Sequence, residues 1–466
     1  MSTRQSHVRW LLIFWMFVIS AIAFLDRTNI SVAGSSIANE YGFDFVRLGG
    51  VFSAFNWGYA LFQAPGGRLA DRFGPRRILA LGTVLWAVFT ALTAVVPATV
   101  TATVTVFPEI RIPLTNVTWH AASLPLVVVL LVAVRFSLGV GEAVVYPAGN
   151  RLVASWIPVR ERGIANGVIF AGVGAGAGLA PPLITYILLH QGWRWSFWIS
   201  ALIGLAGGVV WFLIARDKPE EHPSVNSEEA TLILQGLPAA ETQSSKPVAW
   251  KAIFTSRDVA AVSASYFCYG YVAYIFFTWF FIYLNRVRGL NLKTSGYYSM
   301  LPFIAMAVCS SLGGWISDRL TISAGKRMGR CGLAGAAMAL CTVFLALGMY
   351  AVDARVASVV LAGGAGALYL SQSSFWSVSS EMAGPSSGSV SGVMNMACQI
   401  AGALTALLTP VIAKYFGWNT PFFVAAALCC LGALCWLFVD IDRGAAHLSR
   451  MYMTKSQAQF SGARNG

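Results

Sequence analysis

Apolar stretches long enough to cross a bilayer recur along this chain about twelve times. They begin near residues 10, 48, 77, 124, 163, 193, 258, 296, 330, 356, 388 and 418. About 20 helical residues, rising 1.5 Å each, cross a hydrocarbon layer about 30 Å thick. The stretches are unbroken rather than alternating, which favours helices over the strands of a barrel. Only 11% of the 466 residues are charged and 57% are hydrophobic, against about 25% charged residues in a soluble domain. An all-α membrane protein with twelve transmembrane helices is expected. The first stretch runs from Trp10 past Asp26 and Arg27 to about Val32 and has no small-residue cleavage site. It reads as a retained helix rather than a signal peptide.

The formal net charge of +13 does not imply nucleic acid, because the bases sit in alternate loops instead of on one arm or patch. With the N-terminus inside, cytoplasmic segments hold 22 Lys and Arg, external ones hold 8, and Arg27 and Arg135 complete the 32. That asymmetry predicts a multi-pass protein with both termini cytoplasmic, and Arg286, Arg288 and Lys293 are the one external cluster against the trend. The eight Cys lack ligand spacing and read as small buried hydrophobes. The five His lack metal spacing, no phosphate-binding loop is present, and no catalytic constellation appears. Neither an enzyme nor a cofactor is expected, so any transport must draw on a gradient.

The chain is duplicated. Gly66 to Arg72 recurs as Gly313 to Arg319, an offset of 318 − 71 = 247 between Asp318 and Asp71. Gly192-Trp193 recurs as Gly417-Trp418, and Gly163 pairs with Gly388, both at an offset of 225. Two six-helix halves follow, 1–215 and 258–440, with a polar, flexible cytoplasmic linker at 216–257 and a cytoplasmic tail at 441–466. Trp250 to Phe254 can form a short interfacial helix within that linker. The difference in offsets, 247 − 225 = 22, places an external insertion within Pro97–Pro125, with Glu109, Arg111 and the sequon Asn116-Val117-Thr118. It reads as a loop insertion, with a lid over the outer mouth as the alternative. Parallel duplication is the signature of transporters that rock two bundles about a midplane site.

Four ionisable groups interrupt the apolar runs of the first half: Asp26, Arg27, Arg135 and Glu142. Each costs roughly 2.5–3.5 kcal/mol to insert before pairing, which marks them as functional. Arg135, Gly139, Glu142 and Tyr146 share a helix face, but Arg135 and Glu142 lie two turns apart, about 10.5 Å, too far to pair tightly. Partners from the first helix are required, with Asp26 expected towards Arg135 if the helices adjoin; a fixed structural ion pair is the alternative. Phe52, Asn56, Tyr59 and Gln63 form a second stripe. In the second half Ser373, Trp376, Ser377 and Ser380 share one face, Ser391, Asn395 and Gln399 another, and Tyr271 and Tyr274 lie on an aromatic helix. Asp71, with Arg72, Arg76 and Arg77 in a short cytoplasmic loop, suits a gate.

Asp26-Arg27-Thr28-Asn29, Phe52 to Phe55 with Tyr59, Gly141-Glu142 through Asn150-Arg151, Phe375-Trp376-Ser377 and Gly392 to Asn395 carry a family likeness. With the Gly67–Arg77 loop, they make the chain resemble the major facilitator superfamily and, within it, the anion:cation symporter family that includes bacterial sugar-acid permeases. The resemblance implies a monomeric importer of a small organic anion, most naturally a sugar acid such as a hexuronate, aldonate or aldarate, by proton symport across the bacterial inner membrane. It implies proton coupling at Asp26 and Glu142. The positions Arg27, Tyr59, Arg135, Ser373, Trp376 and Asn395 then serve the substrate, with Asp71, Arg72 and Arg76 at the gate. Two positions depart from the pattern: Pro75 stands where a base is common, and Val173 where sugar-acid permeases can carry Gln. Competing readings are sodium coupling or facilitated transport of aromatic or other carboxylates, an anion channel, and a sensor that binds without transport.

Overall fold

The computed structural model describes residues 6–43, 45–97, 102–107, 110–111, 118–119, 122–237, 248–280, 283–290 and 292–449. Nine stretches among them are long and apolar enough to cross a membrane. Two of these, Tyr297–Tyr350 and Ala354–Phe416, have 54 and 63 residues. At 1.5 Å per residue each would be roughly 80 Å or more in length, so each must fold back as two crossings. The helix Phe45–Phe73 supplies a further crossing, although Asn56, Gln63, Arg68, Asp71 and Arg72 lower its hydropathy. Twelve crossings result.

The first bundle comprises α1 (Val8–Tyr41), α2 (Phe45–Phe73), α3 (Pro75–Val95), α4 (Leu126–Glu142) continued by α5 (Val145–Trp156), α6 (Arg162–Gln191) and α7 (Trp193–Ile214). The linker holds α8 (Ser227–Gly236) and α9 (Trp250–Thr255). The second bundle comprises α10 (Arg257–Thr278), α11 (Leu292–Lys326), α12 (Leu333–Tyr350), α13 (Ala354–Leu370) continued by α14 (Gln372–Ala383), α15 (Ser387–Phe416) and α16 (Thr420–Cys435). The bundles pack on each other chiefly through α2 against α15 and α6 against α11. These two contacts are related by the internal duplication.

Strands were not expected, yet the insertion forms them. β1 (Thr103–Phe107) pairs antiparallel with β4 (Ala122–Pro125), and β2 (Ile110–Arg111) with β3 (Thr118–Trp119). Its Thr and Val content suits a pleated ribbon. Glu109 and the sequon residues Asn116 and Val117 lie outside the described residues. Arg288, against the charge trend, has a structural use: it donates to the Tyr283 hydroxyl at 2.6 Å and to the Ala351 and Gly348 carbonyls at 2.9 and 3.3 Å, at the C-terminus of α12. Cations are favoured there.

The linker, expected to be flexible, is partly folded onto the bundles. Asn226 caps α8 by accepting from the Glu229 amide at 3.0 Å. Glu229 accepts from Ser6 Oγ at 2.5 Å, from the Val8 and Arg9 amides at 2.9 and 3.1 Å, and from Arg9 Nη1 at 3.1 Å. Burial pushes the Glu229 carboxyl up, but these donors outweigh it and hold the group below its ordinary value. Val248, before α9, touches both bundles: its amide donates to Ser386 Oγ at 2.7 Å and its carbonyl accepts from Arg68. Removing both partners (Arg68→Ala with Ser386→Ala) is expected to raise tryptic cleavage at the exposed Lys251 about 30-fold, since each of the two lost hydrogen bonds is worth about 1 kcal/mol. Unchanged cleavage kinetics would show that this segment is held by other contacts.

Candidate functional site

Close helix approach creates the charged centre. A Cβ on Gly58 would overlap the Phe136 carbonyl, and one on Gly139 would overlap the Phe55 carbonyl. Small residues at both positions let α2 and α4 meet backbone to backbone. Phe55 and Tyr59 of α2 thereby reach the charged face of α4. Arg27 from α1 enters between them and donates from Nε to Glu142 Oε1 at 2.6 Å. Its guanidinium carbon lies 4.2 Å from the Tyr59 ring centre, 4.6 Å from Phe24 and 5.2 Å from Phe55. Such ring faces stabilise a cation that is largely withdrawn from water.

Asp26 does not contact Arg135 as expected. Neighbouring helical residues point about 100° apart, so only one of Asp26 and Arg27 can face α4. Arg27 takes that direction, and Asp26 faces α3. There its Oδ2 accepts from Trp86 Nε1 and Thr90 Oγ1, each at 2.7 Å, while Oδ1 has no hydrogen bond among the described residues. Arg135 acts on Asp26 only through space. Arg135 is 2% exposed, its guanidinium carbon sits 5.2 Å from the Phe55 ring centre, and its Nε and Nη1 have no hydrogen-bond partner among the described residues. An unpaired buried guanidinium costs much and calls for an anion.

Arg27 and Arg135 line a central cavity of about 1230 Å³ to which both bundles contribute. Asn395 also lines it and donates from Nδ2 to Gln63 Oε1 at 3.0 Å, across the bundle interface. Tyr59, Ser373 and Trp376 are buried and are not part of the lining. Trp376 supports the wall from behind. Its Nε1 donates to the Tyr266 hydroxyl at 3.0 Å, and its ring lies 5.0 Å from Phe170 and 5.8 Å from Tyr146. Tyr274 and Val173 line the cavity; Tyr271 does not.

Several lining residues were not foreseen: Tyr266, Tyr269, Tyr369 and Gln372. A signal existed for the first two, because Tyr266, Tyr269, Ala273, Tyr274 and Phe277 follow the 3–4 spacing of one helix face. Trp86 and Thr90 were also missed. They are one turn apart on α3, and only the direction of Asp26 reveals their use.

The lining falls in the parts of the helices remote from the end that carries Val8 and the linker. At the termini-bearing end the bundles are locked. Asp71 Oδ1 accepts from the Gly388 amide at 2.9 Å, and its Oδ2 accepts from the Ser389 amide at 2.7 Å and Ser389 Oγ at 2.5 Å. Its repeat counterpart Asp318 accepts from the Gly163 and Ile164 amides at 2.9 and 2.7 Å and is anchored by Arg330 Nη1 at 2.6 Å. Each acid therefore caps the first turn of a helix in the opposite bundle, where free amides and the helix dipole favour a carboxylate. Arg72 and Arg76 do not join this lock. Arg72 rests on the Phe73 ring at 5.1 Å, and Arg76 bonds to its own bundle and the start of the linker, from Nε to the Phe212 carbonyl at 3.0 Å and from its amide to Asp217 at 2.9 Å.

Two repeated bundles, closed at one end around a shared cavity with charges at its wall, have the architecture of a membrane transporter. The sequence matches the Major Facilitator Superfamily over residues 16–406. The chain belongs to that family, whose members are transporters, and it is not an enzyme. A probable sulfoacetate transporter of Cupriavidus necator is 31% identical over 90% of this chain and 91% of its own length. A probable galactarate/D-glucarate transporter of Bacillus subtilis is 31% identical over 68% of this chain and 66% of its own length. A solved proton:xylose symporter shares the fold with a TM-score of 0.70 at 16% identity, covering 94% of this chain and 97% of that one.

Proposed function

We propose that this chain is a proton-coupled importer of an organic carboxylate in a bacterial inner membrane, acting as a monomer with both termini cytoplasmic. The carrying observation is the pairing pattern of the buried charges. Arg135 faces the cavity without a hydrogen-bonded counter-ion, while Arg27 is held by Glu142. A substrate carboxylate supplies the anion that Arg135 lacks. A proton on Glu142 releases Arg27 to the same substrate, and a proton on Asp26 removes the charge that competes for Arg135. The names of the two relatives, for sulfoacetate and for galactarate/D-glucarate, support an anionic substrate, and the resemblance read from the sequence supports a sugar acid.

With the positive-inside orientation, the lock at Asp71 and Asp318 closes the cytoplasmic side and the cavity serves the outside. Proton arrival at the two acids, substrate binding, and release of the lock then follow in that order. The test is uptake into proteoliposomes with the bath made acidic, using gluconate, glucuronate, glucarate, sulfoacetate and benzoate and subtracting protein-free liposomes. Accumulation of at least one, with accompanying proton entry, is expected. If none accumulates on acidification, or if sodium replaces protons, the reading is wrong. Within it, Arg135→Gln is expected to weaken binding of the transported anion about 100-fold, the cost of a lost buried charge-assisted bond. Retention of wild-type affinity would remove Arg135 from the site.

A further inference from the structure

Resting on the organic-carboxylate reading, we propose that the cavity selects an aromatic carboxylate over a polyhydroxylated acid, with the carboxylate on Arg135 and the ring against Phe24, Phe55 and Phe277. The wall around the cationic spot is aromatic. Phe55 lies 5.2 Å from both guanidinium carbons and Phe24 lies 4.6 Å from that of Arg27. Phe24 continues into Phe277 at 5.6 Å between ring centres, and Phe277 into Phe303 at 5.2 Å. An anion seated on Arg135 presents whatever its carboxylate carries to these rings, where another ring stacks or meets them edge to face.

Much of the polar lining points to the same choice, because it is already bonded to other groups of the protein. The Tyr266 hydroxyl already accepts from Gln372 Nε2 at 2.9 Å and from Trp376 Nε1 at 3.0 Å. The Tyr274 hydroxyl donates to Gln399 Oε1 at 2.5 Å, and Tyr146 shares a 2.8 Å bond with Ser20. Thr28 and Thr278 donate to carbonyls of their own helices at 2.8 and 2.5 Å. Asn395 is held by Gln63. Four or five substrate hydroxyls would compete with these bonds for partners, and any that entered unpaired would be penalised. Val173 lines the cavity where a Gln would have offered an amide. Gln372 Oε1 and the Tyr269 hydroxyl, both in the lining, have no hydrogen bond among the described residues, so a substrate with one or two polar substituents, such as a ring hydroxyl, is accommodated.

Equilibrium dialysis of the purified, detergent-solubilised protein against radiolabelled benzoate and radiolabelled gluconate tests this without the leak of benzoic acid through lipid. Benzoate is expected to bind about tenfold tighter or more. The variant Phe277→Asn is expected to reduce that ratio about fivefold or more, a loss carried by the benzoate term. Gluconate binding as tightly as benzoate, or tighter, overturns the aromatic preference and leaves the organic-anion reading standing. Binding of neither, with no carboxylate accumulated in the liposome panel, overturns both. A Phe277→Asn protein that folds and keeps the wild-type ratio removes the ring contact from the proposal.

Discussion

The variant Asp26→Asn is expected to lose at least about nine-tenths of acid-driven accumulation while retaining exchange of substrate across the membrane. The amide oxygen of Asn can still accept from Trp86 Nε1 and Thr90 Oγ1, the two donors that hold the carboxylate, so the local packing of α1 on α3 is kept. What is lost, on the proposed coupling, is a proton site. Without it, inward movement of the anion is no longer tied to the pH gradient, nor helped by the membrane potential, worth about 2.3 kcal/mol per charge at 100 mV. Counterflow of preloaded substrate needs no net proton movement and so persists. The measurement is a pair of assays on the same proteoliposomes, uphill uptake and exchange. Full uphill uptake by the variant would exclude Asp26 as a coupling group and leave Glu142 alone.

The second large effect is steric. A Cβ on Gly67 would overlap the Gly388 carbonyl, and the repeat-related Gly314 meets Gly163 in the same way. These contacts lie beside the two acids that cap the opposite bundle, so the closed end has no room to relax by a side-chain rotation. Overpacking of this kind costs about 1–3 kcal/mol for a single methyl and more for a larger group. Gly67→Leu is therefore expected to reduce transport about 100-fold, equivalent to roughly 2.7 kcal/mol against the closed state. Gly178→Ala, with open space around its Cβ position, is the control and is expected to transport as wild type. Labelling of a cysteine placed at Ser389 should become faster in Gly67→Leu, because the end it guards no longer shuts. Equal labelling and normal transport in the Leu variant would show that the observed closure is not part of the cycle.

Much of this arrangement was readable before any coordinate. Helix starts at Val8, Pro75, Leu126, Arg162, Trp193, Arg257 and Ala354 fall within two residues of the expected beginnings. The hydrocarbon layer makes this possible, since it demands one length and one polarity from every crossing. Gly66 to Arg72 and its repeat also announced a structural device, and Asp71 and Asp318 prove to occupy equivalent places. The ribbon at Thr103–Pro125 was not readable, because β-branched residues between two helices are equally compatible with a loop. The bonded linker was missed for a related reason: Glu229 looks like any solvated acid until the N-terminus is seen to rest on it.

The amino-acid sequence by itself determined the twelve crossings, the internal duplication and the identity of the four buried charges, because burial of polar atoms in hydrocarbon is costly enough to be visible one residue at a time. Only the tertiary structure decided which charge meets which. Arg27 rather than Asp26 reaches α4, Arg135 is left to the cavity, and the aromatic wall closes around both. Those choices depend on helix rotation and on backbone approach at Gly58 and Gly139, and neither is written in spacing alone.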